Sequence, residues 1–121
     1  MKQIPPDTAF KNIDNTIAYA SAANASDIHI TPSPMNFWVR LRVNGKLGQA
    51  QGIPSDAGRS LIQAFKAESK MNIAETRRPQ DARLTRNNLD LRLATHPSLH
   101  GENLVIRLLN THSRMPLNRL G

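Results

Sequence analysis

Two stretches of the chain place apolar residues three or four positions apart, the spacing that buries one face of a helix. The first predicts a helix that runs from an N-cap at Asp7 to about Asn24. The second predicts a helix that begins at an N-cap at Ser55 and ends near Lys70. The residues expected to face the core are Phe10, Ile13, Ile17 and Ala20 in the first helix, and Leu61, Ile62 and Phe65 in the second.

Other stretches alternate apolar and polar residues, as a strand with one buried face does. In residues 37–43 the apolar positions alternate with Trp38, Arg40 and Arg42. Asn44-Gly45 follows at once and suits a two-residue hairpin turn, because both residues tolerate a positive φ. The predicted strands are 27–30, 37–43, 46–50, 81–85, 89–95 and 103–109, with a second turn at Asn87-Asn88.

This order of elements predicts an α+β fold, with a mostly antiparallel sheet of about five to six strands and the helices packed on one face. The alternation also predicts which side chains face away from the helices. Leu91 and Ile106 should point into the core, whereas their neighbours Arg92 and Arg107 should point outward. The opposite face of the sheet would therefore present Arg40, Arg42, Arg92 and Arg107.

The charge of the chain is concentrated in its carboxy-terminal part. The formal net charge is +7, and residues 77–121 contribute +5, from eight arginines against three acidic residues. Arginine has a planar guanidinium that can hold a phosphate through two parallel hydrogen bonds. The distribution therefore suggests a phosphate group as a ligand, with a solvated basic surface as the simpler interpretation.

The remaining composition limits the class of protein. A chain of 121 residues is long enough for one domain with a single core. It contains no cysteine, and hence no disulfide or thiolate metal site. No apolar run approaches the ~20 residues needed to cross a bilayer, and residues 1–7 lack the apolar region of a signal peptide. A cytoplasmic location is the expectation.

Motifs for catalysis and metal binding are missing from the sequence. The GxxxxGK[ST] phosphate loop does not occur, so we expect no nucleotide-hydrolysing centre and no cofactor bound by this chain itself. His96 and His100 have the spacing of metal ligands on a helix, but Pro97 and Gly101 would interrupt such a helix. No metal site is therefore expected.

Three carboxylates could be considered as general acids or bases, namely Asp27, Asp81 and Glu102. We interpret them instead as partners that orient arginine side chains, the commoner role of a lone carboxylate near arginine. The outward strip of Trp38, Arg40 and Arg42 could alternatively stack bases and hold a nucleic-acid backbone. A small basic nucleic-acid-binding module is thus the alternative function, although an aromatic content of 4% disfavours it.

Five short segments, in order along the chain, resemble motifs of the type II secretion and type IV pilus assembly ATPases of the secretion NTPase superfamily. The segments are ASDIHI (25–30) with VRLRVNGKL (39–47), MNIAE (71–75) with RPQDAR (78–83), DLR (90–92), PSLHGE (97–102) and VIRLL (105–109). The chain departs from the family pattern at Ala82, where the family has glycine, and in a shorter turn between Arg83 and Arg92.

The resemblance implies a particular place for this chain in a larger machine. Residues 1–110 would form the amino-terminal (N2-type) regulatory domain, with a PAS-like sheet, and residues 111–121 would begin a linker to a RecA-like ATPase domain. The parent would be a homo-hexameric ATPase that uses ATP and Mg²⁺. The family serves pilus assembly, secretion, conjugation and DNA uptake alike.

The resemblance also implies site residues and partners. By motif position Arg83 and Arg92, with Arg107 as a third, would contact nucleotide phosphates held by the RecA-like domain of the same or a neighbouring subunit. This domain would itself be non-catalytic, and the isolated chain is expected to be a monomer. The hexamer would meet an inner-membrane platform protein, as a cytoplasmic protein peripheral at the inner membrane.

Overall fold

The structure is a computed structural model that describes residues 10–109. This part of the chain forms two helices and seven strands, and is therefore α+β, as predicted. In chain order the elements are α1 (Ile13–Ala22), β1 (Asp27–Pro32), β2 (Asn36–Val43), β3 (Lys46–Leu47), β4 (Gln51–Pro54), α2 (Ser55–Glu68), β5 (Gln80–Arg86), β6 (Leu89–Ser98) and β7 (Gly101–Leu109).

All strand pairs are antiparallel, in the order β3-β2-β1-β7-β6-β5, and β4 pairs with the first half of β2. The sheet has seven strands rather than the expected five to six. The predicted strand 46–50 is shorter than expected, and β4 follows it as a strand that the sequence did not indicate. Gly52 and Pro54 are poor strand formers, which explains why β4 was missed. The likeness to a PAS domain stays a prediction.

Two tight turns set the register of the hairpins. Asn44-Gly45 has φ values of 53° and 80°, and Asn87-Asn88 has φ values of 54° and 63°. These left-handed conformations match the right-handed twist of the flanking strands, so both predicted hairpins are confirmed. The second turn places Arg83 directly opposite Arg92.

Helix α1 begins later than predicted. The side-chain oxygen of Asn12 accepts a hydrogen bond from the backbone N–H of Asn15 at 2.8 Å, so Asn12 is the N-cap and Ile13 the first helical residue. Asp7, the predicted cap, lies outside the described residues, and residues 10–12 are not helical. The prediction of a helix running from Asp7 is therefore wrong.

The predicted cap of α2 is also wrong. Pro54 occupies the N-cap position and Ser55 is the first helical residue. The hydroxyl of Ser55 donates to the carbonyl oxygen of Met35 at 3.1 Å, so it ties the helix start to the β1–β2 loop instead of capping the helix.

Both helices pack on one face of the sheet, here called the inner face, and form one core with it. Helix α2 approaches β2 closely at Gly58, where a Cβ atom would overlap the ring of Phe37. The predicted inward facing of Leu91 and Ile106 is confirmed, since neither is exposed. The core includes Phe10, Ile13, Ile17, Ala20, Ile28, Ile30, Val39, Leu61, Ile62, Phe65, Leu91, Leu93, Leu104 and Ile106.

A buried ion pair fixes the segment after α2 to the start of β7. The ammonium of Lys66 lies 2.8 Å from Glu102 Oε1, and donates to the carbonyl oxygens of Ile73 at 3.3 Å and Glu75 at 2.9 Å. Glu102 therefore pairs with a lysine, and our interpretation of it as a partner of arginine is wrong. Glu102 has the same orientation in β7 as the buried Leu104 and Ile106 and so faces the inner side, whereas Arg107 points to the outer face.

Candidate functional site

The face of the sheet that points away from the helices, here called the outer face, carries the arginines predicted for it. Trp38, Arg40, Arg92 and Arg107 are all exposed there. Arg42 is less exposed than these residues, and its Nη1 donates to the carbonyl oxygen of Gly45 at 2.9 Å. Arg42 is thus engaged within its own hairpin.

Three arginines from three neighbouring strands lie in one line across this face. Arg83 of β5 is directly opposite Arg92 of β6, which is directly opposite Arg107 of β7. Directly opposed residues have Cβ atoms about 4.5–5.5 Å apart. The structure therefore brings together the three site residues that the resemblance indicated, and we call them the arginine row.

One end of the arginine row is anchored by a buried carboxylate. Asp27 of β1 is directly opposite Arg107, and the Nε of Arg107 lies 3.3 Å from Asp27 Oδ2. The Asp27 side chain is 7% exposed and that of Arg107 is 63% exposed. The hydroxyl of Ser26 donates to the other Asp27 oxygen at 2.6 Å. Our interpretation of Asp27 as a residue that orients an arginine is confirmed.

The other two members of the row have no such partner. Within residues 10–109, neither Arg83 nor Arg92 makes an ion pair or side-chain hydrogen bond. Asp81 lies beside them and lines two shallow depressions, one with Arg92 and Arg107 and one with Arg83 and Arg92. It forms no ion pair with them in the described part of the chain, so our interpretation of Asp81 as a residue that orients an arginine is wrong. Directly opposed like charges are destabilising, and an anion bound between them would offset that cost.

The alanine that replaces the family's glycine leaves Arg83 in place. Ala82 lies within β5, directly opposite Leu93, and its side chain packs against the core from the inner side. It does not have a positive φ, so the strand needs no glycine here. Arg83, the next residue, consequently points to the outer face.

Another arginine of β5 is held on the inner side, and the sequence analysis did not single it out. The Nε of Arg86 donates to Asp14 Oδ1 at 2.8 Å, and its Nη1 donates to Glu68 Oε1 at 2.9 Å. The hydrogen bond from Arg86 lowers the pKa of Asp14, and the bond to Asp14 raises the pKa of Arg86. The alternation in β5 could have revealed the inward position of Arg86, because residues two apart in a strand share a face and Arg86 follows Ala82 and Leu84 in that series.

Residues 10–109 contain no cluster of three or more His, Asp or Glu side chains that could hold a metal ion. His96 and His100, the pair with metal-ligand spacing, are both exposed near the β6–β7 turn.

Within residues 10–109, no helix is long and apolar enough to cross a membrane.

A family model described as "Type II/IV secretion system protein" matches residues 6–121, nearly the whole chain. The chain belongs to this family. The resemblance inferred from the five motifs is thereby confirmed.

Individual relatives agree with this assignment. The chain is 40% identical over 102 residues to the type II secretion system protein E of Xanthomonas campestris pv. campestris. The matched region covers 81% of this chain and 18% of the relative. It is 37% identical over 118 residues to the type IV pilus assembly ATPase PilB of Thermus thermophilus, covering 94% of this chain and 13% of the relative. It is 35% identical over 116 residues to the type II secretion system ATPase E of Vibrio cholerae, and the matched region covers 92% of this chain and 23% of the relative. The chain thus spans less than a quarter of the length of these relatives, and their names lend no support to the nucleic-acid-binding alternative.

Proposed function

We propose that this chain is a non-catalytic regulatory and oligomerisation domain of a hexameric secretion or type IV pilus assembly ATPase. Its arginine row would contact the phosphates of ATP held by the RecA-like domain of the same or a neighbouring subunit. The observation that carries the proposal is the strand register, which aligns Arg83, Arg92 and Arg107 on the outer face.

The spacing of the row fits a triphosphate. Two steps between opposed strands span roughly 10 Å, and each guanidinium can give two parallel hydrogen bonds to phosphate oxygens. Arg83 and Arg92 would lose no internal ion pair on binding, since none is present within residues 10–109. A polyanion would also relieve the repulsion between the three neighbouring cations.

The three arginines would have different tasks. Asp27 holds the Nε of Arg107, so this guanidinium is oriented before nucleotide arrives. Arg83 and Arg92 have no partner within residues 10–109 and would respond to whether the terminal phosphate is present. Loss of that phosphate on hydrolysis would weaken the contact and release the domain, as in other switches that depend on a γ-phosphate.

The chemical step is assigned to the RecA-like domain. The chain has no phosphate loop, and no metal-binding cluster is found in residues 10–109. In the proposal ATP and Mg²⁺ are bound by the partner domain, where the metal would neutralise charge developing on the phosphates. The described residues of this chain would position and sense the nucleotide.

The names of the relatives suggest the setting of this function. Secretion and pilus assembly are the processes in those names. We propose that the assembled hexamer works in the cytoplasm, peripheral at the inner membrane, with a membrane platform protein as its partner.

Titration of this chain with Mg-ATP, followed by NMR of the arginine Nε–H groups, tests the proposal. We expect selective shifts at Arg83, Arg92 and Arg107 with weak affinity, because isolated arginines lack the backbone cradle that fixes a triphosphate. Arg59, an exposed arginine on α2 that pairs with Asp56, is the internal control. Equal shifts at Arg59, or none at the arginine row, would remove the support for this site.

A further inference from the structure

Beside the arginine row, the outer face contains a groove of about 500 Å³ formed by strands β1 to β3 and the segment before β4. Its lining combines apolar side chains with nitrogen donors, and none of these residues belongs to the arginine row. We call it the tryptophan groove. It is lined by His29, Thr31, Trp38, Arg40, Leu47 and Ala50.

The apolar part of the groove is exposed to solvent. Trp38 is 42% exposed and Leu47 is 40% exposed. The indole lies over β4 at Gly52, where a Cβ atom would stand 3.3 Å from Trp38 Cζ3. The lack of a side chain at Gly52 therefore lets the ring lie against the sheet. A tryptophan presented in this way is typical of an anchor for a partner.

The polar part of the groove consists of an imidazole and a guanidinium. His29 and Arg40 are directly opposite each other on β1 and β2. Within residues 10–109, the Nε2 atom of His29 is buried and makes no hydrogen bond. Arg40 is exposed and likewise has no hydrogen bond or ion pair in this part of the chain. The Arg40 guanidinium can therefore form charge-assisted hydrogen bonds to a carboxylate that enters the groove.

The charges around His29 favour an anionic occupant. Burial lowers the pKa of His29, as do Arg42, Arg107 and Arg40, whereas Asp27 acts in the opposite direction. Asp27 is already bound by Ser26 and Arg107. The imidazole is therefore neutral near pH 7, and the positive charge in the groove is that of the Arg40 guanidinium.

We infer that the tryptophan groove is a docking site for a short acidic segment of a partner protein. A carboxylate of that segment is bound by Arg40, beside the His29 imidazole. A neighbouring leucine or aromatic side chain of the segment packs against Trp38 and Leu47. This function goes beyond the proposed contact with nucleotide and does not depend on it, because the two sites use different arginines.

The mixed lining distinguishes this occupant from simpler anions. A free phosphate would meet Arg40 but would leave the exposed apolar surface uncovered. A nucleic acid could stack on Trp38, but its binding would release counterions and weaken steeply with salt. A single carboxylate contact would depend on salt only modestly.

Trp38 is the single tryptophan of the chain, so its fluorescence reports directly on the groove. The probe is the peptide acetyl-Glu-Leu-Glu-Phe-amide, and the control is the same peptide with glutamine at both glutamate positions. We expect a saturable blue shift with the acidic peptide, at a dissociation constant of ~10–1,000 µM. The glutamine peptide should bind at least about tenfold more weakly, because it lacks the charge-assisted hydrogen bonds.

Variants separate this site from the arginine row. Arg40→Gln should weaken binding of the acidic peptide at least about tenfold, whereas Arg59→Gln on α2 and Arg92→Gln in the arginine row should leave it unchanged. Circular dichroism checks that each variant folds. Failure of the row to bind nucleotide would not alter this result, so the two proposals can fail separately.

Three results would overturn the inference. The first is no fluorescence change with the acidic peptide at millimolar concentration, and the second is equal binding of the glutamine peptide. The third is a single-stranded oligothymidine that changes the Trp38 emission more strongly than the peptide, with a steep loss of affinity as salt rises. That outcome would assign the groove to nucleic acid.

Discussion

The two faces of the sheet hold their charged side chains in different ways. On the inner face, Lys66 is fully buried and is bonded to one carboxylate and two carbonyl oxygens. Arg86, on the same side, bonds to carboxylates of both helices. On the outer face, Arg83 and Arg92 are exposed and have no partner within residues 10–109.

This difference separates charges that stabilise the domain from charges that remain available for a ligand. Removing Lys66 would leave the carboxylate of Glu102 unpaired in a poorly solvated place, which destabilises the fold. An outer arginine that has no partner within residues 10–109, such as Arg83 or Arg92, can be removed at little cost to the fold, so a large effect of its removal on activity would reveal a functional contact. The predictions below test each half of this comparison.

The largest loss of stability is expected for Lys66→Met, which keeps the apolar stem and removes the ammonium. Glu102 would be left as an unpaired buried charge, and two carbonyl oxygens would lose their donor. We expect the free energy of unfolding to fall by roughly 3–5 kcal/mol, measured by urea denaturation.

Lys70→Met is the matched control, because Lys70 is exposed just after the same helix. The double variant Lys66→Met with Glu102→Gln should recover part of the loss, since the unpaired charge is gone. A loss for Lys66→Met as small as that for Lys70→Met would show that the buried pair does not stabilise the domain.

Neighbouring residues of β6 give the next comparison. Leu91 is fully buried on the inner face and Arg92 is exposed on the outer face. Leu91→Ala should cost ~2–5 kcal/mol, whereas Arg92→Ala should stay within about 1 kcal/mol. Chemical denaturation of both variants decides the matter, and equal losses would contradict the assigned faces of the strand.

Within the outer face itself, Arg107 should matter more for stability than Arg92. Removing Arg107 leaves the buried carboxylate of Asp27 without its cation, although Ser26 still donates to it. We expect Arg107→Ala to cost roughly 1–3 kcal/mol. Thermal and chemical unfolding of the two alanine variants should rank Arg107 above Arg92, and the reverse order would show that Asp27 does not need this anchor.

The smallest effect should come from His29. The pKa of His29 is lower in the folded protein than its ordinary value in the unfolded chain. As the pH falls, the unfolded chain therefore binds a proton at a higher pH than the folded protein does. The stability that His29 contributes is present above its ordinary pKa of about 6.5 and is lost as the pH falls through its lower folded value. Because the ring is partly exposed, the loss should be below about 1 kcal/mol.

Unfolding free energies at pH 7.5 and 5.0, compared between the native chain and His29→Gln, isolate this contribution. The carboxylates titrate in both proteins and cancel in the comparison. An equal change of stability with pH in the two proteins would show that His29 does not titrate differently on folding.

The arginine row could be predicted in part from the sequence. Alternation assigned Arg92 and Arg107 to the outer face. The two-residue turn at Asn87-Asn88 places Arg86 opposite Leu89, so the residues three further along each strand, Arg83 and Arg92, are also opposite each other. The pairing of β1 with β7 joins residues about eighty positions apart, so local patterns could not show that Asp27 would meet Arg107. The register between distant strands follows from packing of the whole core.

The buried lysine shows why another feature escaped prediction. Lys66 lies on the apolar stripe of α2, four residues after Ile62, but a lysine is normally expected in water. Its burial depends on acceptors that come from Ile73, Glu75 and Glu102, which the helical pattern does not include. The groove at Trp38 was missed for a similar reason, since it requires β4 to place Gly52 beneath the indole.

Steady-state ATPase kinetics test whether the arginine row contacts nucleotide during turnover. The measurement uses an ATPase in which this domain is joined to its RecA-like domain, with Arg83→Ala, Arg92→Ala, the double variant, and Arg59→Ala as the matched control. An arginine that meets charge developing on the transferred phosphate should cost ~10³-fold or more in kcat, and one that senses bound phosphate should cost less. We predict that both row variants lose activity while light scattering shows the assembly unchanged and Arg59→Ala remains active. Full activity in both single variants and in the double variant would show that the arginine row does not contact nucleotide during turnover.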